Sequence, residues 1–172
     1  TLLTDGARAE YQDATDWIGV VLSDTESHVN GDASVGIDIL QGVAWVRGTK
    51  FDDQFSANPL FVGSNGTNFT EFEGGDGDDT IEGNFGNDTL YGGTGNDTLT
   101  DNSTTSNDVY HWGIGQGNDT INDSGGSDRI EIAAGVTASE IGLDRLTAFA
   151  IVVSVAVACM FWWVYFAFIP AV

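Results

Sequence analysis

The chain has 172 residues, of which 26 are acidic and five are basic, and its formal net charge is −21 at pH 7. This surplus of negative charge repels polyanions, so nucleic acid is excluded as a partner. The single cysteine, Cys159, excludes an intrachain disulfide and a thiolate metal cluster. All charged residues lie at or before Arg145, so an acidic part precedes an uncharged segment of different character.

Residues 1–58 are predicted to form a mixed β N-terminal segment. Strand-like patterns occur at residues 17–22 and 37–46, and polar turn sequences interrupt them. Residues 58–70 are rich in Gly, Asn, Ser and Thr, which is typical of a loop. The sequence therefore predicts irregular β structure ahead of a more regular stretch.

A nine-residue repeat begins at Gly74. Its three strict copies read GGDGDDTIE at 74–82, GNFGNDTLY at 83–91 and GGTGNDTLT at 92–100. Every copy has glycine at positions one and four, aspartate at position six, threonine at position seven and an aliphatic side chain at position eight. Position six is occupied by Asp79, Asp88 and Asp97, and position eight by Ile81, Leu90 and Leu99. Three copies in register predict a repeat architecture.

The repeated positions have physical reasons. Glycine accepts positive φ, so the first six residues can form a tight turn with exposed carbonyl oxygens, and the last three can form a short strand. Two copies then complete one coil, and copies one and three stack directly. The aliphatic side chains at position eight point inward and form an apolar ladder in place of a globular core.

Stacked turns of this kind predict a cation site. Carboxylate and carbonyl oxygens face each other at a spacing that suits a hard cation with about 6 to 8 oxygen ligands at ~2.3–2.6 Å. Calcium fits best, because magnesium requires stricter octahedral geometry and zinc prefers His or Cys, which the repeats lack. Asp79 and Asp97 are the best candidate pair. The predicted metal ligands are Gly74, Asp76, Asp79, Gly83, Asp88, Gly92, Asp97, Asp108 and Asp119.

These repeats resemble those of the RTX family, whose pattern G-G-x-G-x-D-x-U-x forms a calcium-bound parallel β-roll. The resemblance implies such a roll over residues 59–143, with calcium as its cofactor. Asn84 departs from the second glycine and is expected to weaken one turn slightly. Looser matches continue beyond residue 100, and residues 46–55 resemble an imperfect leading coil with Asp52 and Asp53 as possible ligands.

Binding is expected to be coupled to folding. Without metal the clustered aspartates repel one another and the glycine-rich turns lose much entropy on folding. We expect one to three calcium ions. Extracellular calcium modules have dissociation constants that reach ~10⁻⁴ to 10⁻³ M, and such sites stay empty at cytosolic calcium. The acidic domain is therefore expected on the periplasmic or extracellular side of a bacterial cell membrane.

Residues 146–172 are uncharged and apolar. As a helix they would extend ~40 Å, which exceeds the ~30 Å hydrocarbon core of a bilayer. We therefore predict a single transmembrane α-helix here, with membrane lipid and other transmembrane helices as partners. The complete fold prediction is mainly β: a short parallel β-roll with irregular β flanks, plus this helix.

Catalysis is not expected of this chain. It has neither an HExxH zinc-hydrolase motif nor a GxSxG nucleophile motif, and His28 and His111 are its only histidines. Two functions remain open. The first is a membrane-anchored calcium-binding protein whose roll folds on calcium and serves as a structural or adhesive module. The alternative is a single-span accessory subunit of a larger bacterial membrane complex, for example respiratory or photosynthetic, in which the roll caps the periplasmic side.

Overall fold

The computed structural model describes residues 8–23, 26–40, 43–58 and 69–136, and these ranges contain thirteen β-strands and no helix. The strands are β1 Arg8–Glu10, β2 Gly19–Leu22, β3 Ser27–Asn30, β4 Ile37–Leu40, β5 Trp45–Arg47, β6 Gln54–Ala57, β7 Glu71–Asp76, β8 Thr80–Glu82, β9 Thr89–Thr94, β10 Thr98–Asp101, β11 Val109–Trp112, β12 Thr120–Asp123 and β13 Arg129–Ile132. A membrane-spanning helix is not found among the described residues. The helix predicted at residues 146–172 lies outside them.

The strands form two sheets that are wound from one chain. The six-stranded sheet has the order β1-β5-β7-β9-β11-β13, and the seven-stranded sheet has the order β12-β10-β8-β6-β2-β3-β4. From β5 to β13, successive strands alternate between the two sheets, and neighbouring strands of this part are parallel. Each coil therefore contributes one strand to each sheet, which confirms the predicted parallel β-roll.

Inward-facing side chains form one column in each sheet. One column consists of Ala9, Val46, Phe72, Leu90, Tyr110 and Ile130 in successive register. The other consists of Val20, Phe55, Ile81, Leu99 and Ile121. Ile81 pairs in register with Leu99, eighteen residues later, and both are fully or almost fully buried. The predicted direct stacking of copies one and three is therefore confirmed, and Leu90 belongs to the column of the other sheet.

These columns explain how a thin roll can have a core. Burying a large aliphatic or aromatic side chain stabilises a fold by about 1.5–3 kcal/mol, and each coil adds one such side chain to each column. Burial decreases at the C-terminal end of the described residues, where β13 is the last strand of its sheet and Ile130 is 41% exposed. Stability therefore depends on coils stacking on one another.

The N-terminal strands share the sheets of the repeats. β5 pairs with β7, and β6 pairs with β8, so strands on both sides of the boundary predicted between residues 58 and 59 lie in the same two sheets. The predicted leading coil at residues 46–55 is present as β5, a turn and β6. The predicted strand patch at 17–22 contains β2, whereas the patch at 37–46 is divided between β4 and β5. β3 pairs antiparallel with β2 and β4 and extends the seven-stranded sheet.

Positive backbone φ angles occur at the second position of the strict turns. Gly75 has φ 127° and Gly93 has φ 115°, and Asn84 has φ 68° at the equivalent position. Apart from glycine, asparagine is one of the residues that adopt this left-handed region most readily. The buried Asn84 amide also donates a hydrogen bond to the carbonyl oxygen of Ala57, one coil earlier. The departure from glycine therefore adds a contact between coils.

Candidate metal centre

The turns of the roll lie in two rows, one at each end of the strands. We call the row formed by turns 48–53, 74–79, 92–97 and 113–119 the first turn stack. We call the row formed by turns 83–88, 101–108 and 123–128 the second turn stack. Turns at the same end are brought together because two consecutive repeats complete one coil.

The sixth-position aspartates link each turn to the next. In the first turn stack, Oδ1 of Asp79 accepts a hydrogen bond from the backbone amide of Asp53 at 2.7 Å, and Oδ1 of Asp97 accepts one from the amide of Asp79 at 2.8 Å. Asp119 continues the series, since its Oδ1 accepts from the amide of Asp97 at 3.1 Å. The predicted pair of Asp79 and Asp97 is therefore brought together.

The second turn stack repeats this arrangement. Oδ1 of Asp108 accepts a hydrogen bond from the amide of Asp88 at 2.7 Å, and Oδ1 of Asp128 accepts one from the amide of Asp108 at 2.9 Å. In both stacks, one carboxylate oxygen of each of these aspartates accepts a hydrogen bond from a backbone amide of the preceding coil. The second oxygen differs between these aspartates, and in Asp108 it accepts a hydrogen bond from the Ser106 hydroxyl at 2.8 Å.

Those second oxygens are buried and unpartnered in the three strict repeats. Oδ2 of Asp79, Asp88 and Asp97 has no hydrogen-bond partner among the described residues, and each of these side chains is at most 1% exposed. A buried carboxylate without a partner is costly, because it loses hydration without a compensating interaction. A bound cation would supply that interaction. The arrangement therefore fits a calcium ligand set.

The first-position glycines allow these oxygens to approach the backbone. A methyl group on Gly74 would collide with Oδ2 of Asp79 and with the carbonyl oxygen of Gly92, one coil later. A methyl on Gly92 would collide with Oδ2 of Asp97 in the same way. Gly83 has the same relation to Asp88. The glycines thus keep open a small space that is lined by carboxylate and carbonyl oxygens, which are the ligands that calcium prefers.

Burial changes the acidity of these groups. It raises the pKa of Asp79 to about 8, that of Asp88 to about 7 and that of Asp97 to about 6, and hydrogen bonds from backbone amides offset only part of the effect. Neighbouring carboxylates raise these pKa values further. Burial likewise raises the pKa of Asp108 and Asp119. Without a cation the roll therefore favours the protonated form of these aspartates more strongly than water does, and a divalent ion would oppose this effect.

Three other candidate ligands have different surroundings. Asp76 is exposed, and its carboxylate accepts a hydrogen bond from the Thr94 hydroxyl at 2.7 Å. Asp52 is also exposed and accepts from the amide of Asp78. Asp53 is buried, but the amide of Ile18 and the amide and hydroxyl of Thr49 bond to its two oxygens. These three side chains belong to neither of the acidic groups described next.

Two groups of three carboxylates lie in the second turn stack. The first comprises Asp88, Asp101 and Asp108, all of them buried, and the second comprises Asp108, Asp123 and Asp128. Within each group, one oxygen from each side chain lies within 4.8 Å of the others. Asp101, Asp123 and Asp128 were not among the predicted ligands. Aligning turns 101–108 and 123–128 with 83–88 would have indicated all three, because Asp101 and Asp123 stand at the first position and Asp128 stands at the sixth.

Comparison with known proteins shows which family the repeats resemble. The sequence pattern of the RTX calcium-binding nonapeptide repeat matches residues 71–100 and 115–135 in four copies. Searches of curated proteins and of solved structures gave no match. Residues 71–100 and 115–135 thus match RTX calcium-binding repeats and lie in a parallel β-roll, and the acidic groups and repeats together suggest calcium binding.

Proposed function

We propose that this chain is a non-catalytic calcium-binding protein whose roll folds on calcium and serves as a structural module. The observation that carries the proposal is that the Oδ2 atoms of Asp79, Asp88 and Asp97 are buried and have no hydrogen-bond partner among the described residues. Each repeat places such an oxygen beside a glycine turn. The ion would offset the charge of these carboxylates and join one coil to the next.

The chemistry of the turns favours calcium over other metals. The groups that surround the orphaned oxygens are carboxylates and backbone carbonyls, which are hard oxygen ligands. His111 stacks on Tyr91 with ring centroids 4.0 Å apart and lies near Glu131, so it is engaged away from the turns. Zinc would require nitrogen or sulfur ligands, and the acidic groups contain only Asp.

Calcium would stabilise the roll by mass action. A ligand that binds only the folded state at 100 times its dissociation constant adds about 2.7 kcal/mol of stability, and several sites add more. In the absence of calcium, the net charge of −21 and the buried carboxylates oppose folding. The protein would therefore remain unfolded where calcium is scarce and fold where it is plentiful.

A calcium titration of the full chain in a mild non-ionic detergent tests this function. Far-UV circular dichroism would follow the formation of β structure, with magnesium at the same ionic strength as the control. We expect a transition to β structure that calcium produces and magnesium does not. Complete β structure in chelator, with no further change on adding calcium, would contradict a calcium-coupled fold.

We also propose that residues 146–172 anchor the roll to a membrane, with the roll on the extracytoplasmic side. The support is the uncharged, apolar character of this segment together with the weak calcium affinity typical of extracellular modules. Extraction of native membranes tests the proposal and separates the two possible roles. A tethered structural or adhesive module would be solubilised alone, whereas an accessory subunit would be solubilised with stoichiometric partners. Release by carbonate without detergent would contradict the anchor.

A further inference from the structure

The turn at residues 101–108 differs from the other turns of the roll. It has eight residues where the strict turns have six, and it begins with Asp101 where turn 83–88 begins with Gly83. All four turns of the first turn stack begin with glycine. The matched RTX repeats do not include residues 101–114. The second turn stack therefore has carboxylates, those of Asp101 and Asp123, at a position where every turn of the first turn stack has glycine.

Asp101 is held firmly in this turn. One of its oxygens, Oδ1, accepts hydrogen bonds from the Ser103 amide at 2.6 Å and from the Ser106 hydroxyl at 3.3 Å. The Ser106 hydroxyl also lies 2.8 Å from Oδ2 of Asp108. The Ser106 hydroxyl thus connects the carboxylates of the first and the last residue of this turn. Asp101 itself is 0% exposed.

Two oxygens near this point have no partner. Oδ2 of Asp101 and Oδ2 of Asp88 are both buried and make no hydrogen bond to any described residue. Oxygens of Asp88, Asp101 and Asp108 lie within 4.8 Å of one another. Two oxygens on opposite sides of one calcium ion are about 4.6–5.2 Å apart, so a single ion can contact all three side chains.

We propose that Asp88, Asp101 and Asp108 form a calcium site of three carboxylates that binds calcium more tightly than the glycine turns of the first turn stack. This inference rests on the proposed calcium-binding function and assigns the calcium ion that binds first to this site. In the first turn stack, Asp79 and Asp97 each contribute one orphaned oxygen among backbone carbonyls. Calcium affinity rises with the number of charged ligands, and three carboxylates meet here.

The neighbouring acidic group does not support the same conclusion. Asp123 and Asp128 are exposed. Oδ2 of Asp123 accepts a hydrogen bond from the Tyr110 hydroxyl at 2.6 Å, and Oδ1 of Asp128 accepts from the amide of Asp108. These carboxylates are hydrated or partnered without an ion.

Calorimetric calcium titration of the full chain in non-ionic detergent, with Asp101→Asn, Asp97→Asn and Asp13→Asn variants, tests the assignment. Both site substitutions keep Oδ1 as an acceptor and remove one charge. We expect the unmodified chain to bind one ion at least about tenfold more tightly than the others. Asp101→Asn loses this tight phase and keeps the weaker ones, whereas Asp97→Asn keeps the tight phase and loses a weaker one. Asp13→Asn, on an exposed turn, leaves all phases unchanged.

The outcomes separate this site from the proposed function. Tight binding that persists unchanged in Asp101→Asn overturns the site but leaves calcium binding intact. Absence of calcium binding by the unmodified chain overturns both. If circular dichroism shows that Asp101→Asn does not fold with calcium, Asp108→Asn replaces it, because its Oδ1 can still accept from the Asp88 amide. Loss of the tight phase in that variant supports the site, and its retention overturns it.

Discussion

At the level of single residues, the glycines of the roll meet two requirements, which are a positive φ angle and space for a neighbouring oxygen atom. The second-position glycines adopt positive φ, as Gly75 does at 127°. The first-position glycines are required for space, because Gly74 lies against a carboxylate and a carbonyl oxygen. Gly75 also lies against the carbonyl oxygen of Thr49, so a substitution at the second position is expected to fail through both φ and space, and one at the first position through lack of space.

The substitution Gly74→Ala tests the requirement for space. Its methyl group would push Oδ2 of Asp79 away from the carbonyl oxygen of Gly92, so we expect a loss of about 1–3 kcal/mol of stability and weaker calcium binding. Urea denaturation in saturating calcium measures the stability, and a calcium titration followed by far-UV circular dichroism measures the binding. Gly19→Ala is the matched control, since its added methyl would meet only Trp17 at an ordinary 3.6 Å. Equal losses in the two variants would contradict the interpretation.

Asn84→Ala tests the left-handed position. Alanine pays about 1 kcal/mol more than asparagine or glycine at positive φ and cannot donate to the Ala57 carbonyl, a bond worth about 1 kcal/mol. We expect a destabilisation of about 1–2 kcal/mol, measured by denaturation in calcium. Asn84→Gly removes only the hydrogen bond, so its stability should lie between the two. A fully stable alanine variant would show that neither effect operates.

At the level of elements, each strand from β5 to β11 contributes one buried side chain to a column. Phe72, Leu90 and Tyr110 are consecutive members in the six-stranded sheet, and all three are buried. The roll is only two sheets thick, so the loss of one buried side chain from a column weakens the packing between the coils on either side of it. The ladder is therefore cooperative along the roll axis.

Leu90→Ala is expected to destabilise the calcium-bound roll by about 2–5 kcal/mol, because it removes a fully buried side chain and leaves a cavity. Thermal unfolding in saturating calcium measures the loss. Ile37→Ala is the control: this side chain of β4 is 74% exposed, so its truncation should change stability by less than about 0.5 kcal/mol. A similar shift for both variants would contradict the ladder.

At the level of the whole molecule, stability depends jointly on charge, protons and calcium. The calcium-free fold raises the pKa of Asp79 to about 8, that of Asp88 to about 7 and those of Asp97 and Asp101 to about 6, chiefly through burial. In the unfolded chain these groups titrate near ~3.9. The fold therefore binds more protons than the unfolded chain between about pH 4 and pH 8.

The predicted pH dependence follows from this difference. In chelator, stability should be greatest near pH 4 and should fall as the pH rises towards 8, because the folded state must then either hold protons or bury charge. Far-UV circular dichroism of the chain in chelator at pH 5 and pH 8 measures the change as the fraction of β structure. In saturating calcium the decline should be smaller, since the ion replaces the protons. Higher chelator stability at pH 8 than at pH 5 would contradict the burial of these carboxylates.

Much of the central roll could be predicted from local sequence. A nine-residue period fixes where turns and strands alternate, and the steric freedom of glycine fixes which residues turn, so Asp79, Asp88 and Asp97 could be placed at the ends of their turns. The N-terminal coils lack this period, and their membership of the same sheets depends on pairing with distant strands. That pairing, for example of β2 with β6, has no local signature.

The sequence by itself thus determined the period, the inward aliphatic positions and the chemistry of the sixth-position aspartates, because these follow from backbone geometry repeated along the chain. Only the tertiary structure decided which carboxylates meet. Asp101 reaches Asp88 and Asp108 because coil stacking aligns an eight-residue turn with a six-residue one. It also decided that Asp76 stays on the surface while Oδ2 of Asp88 is buried with no hydrogen-bond partner among the described residues. Burial and partnership depend on the neighbouring coil, which the residues of one repeat do not specify.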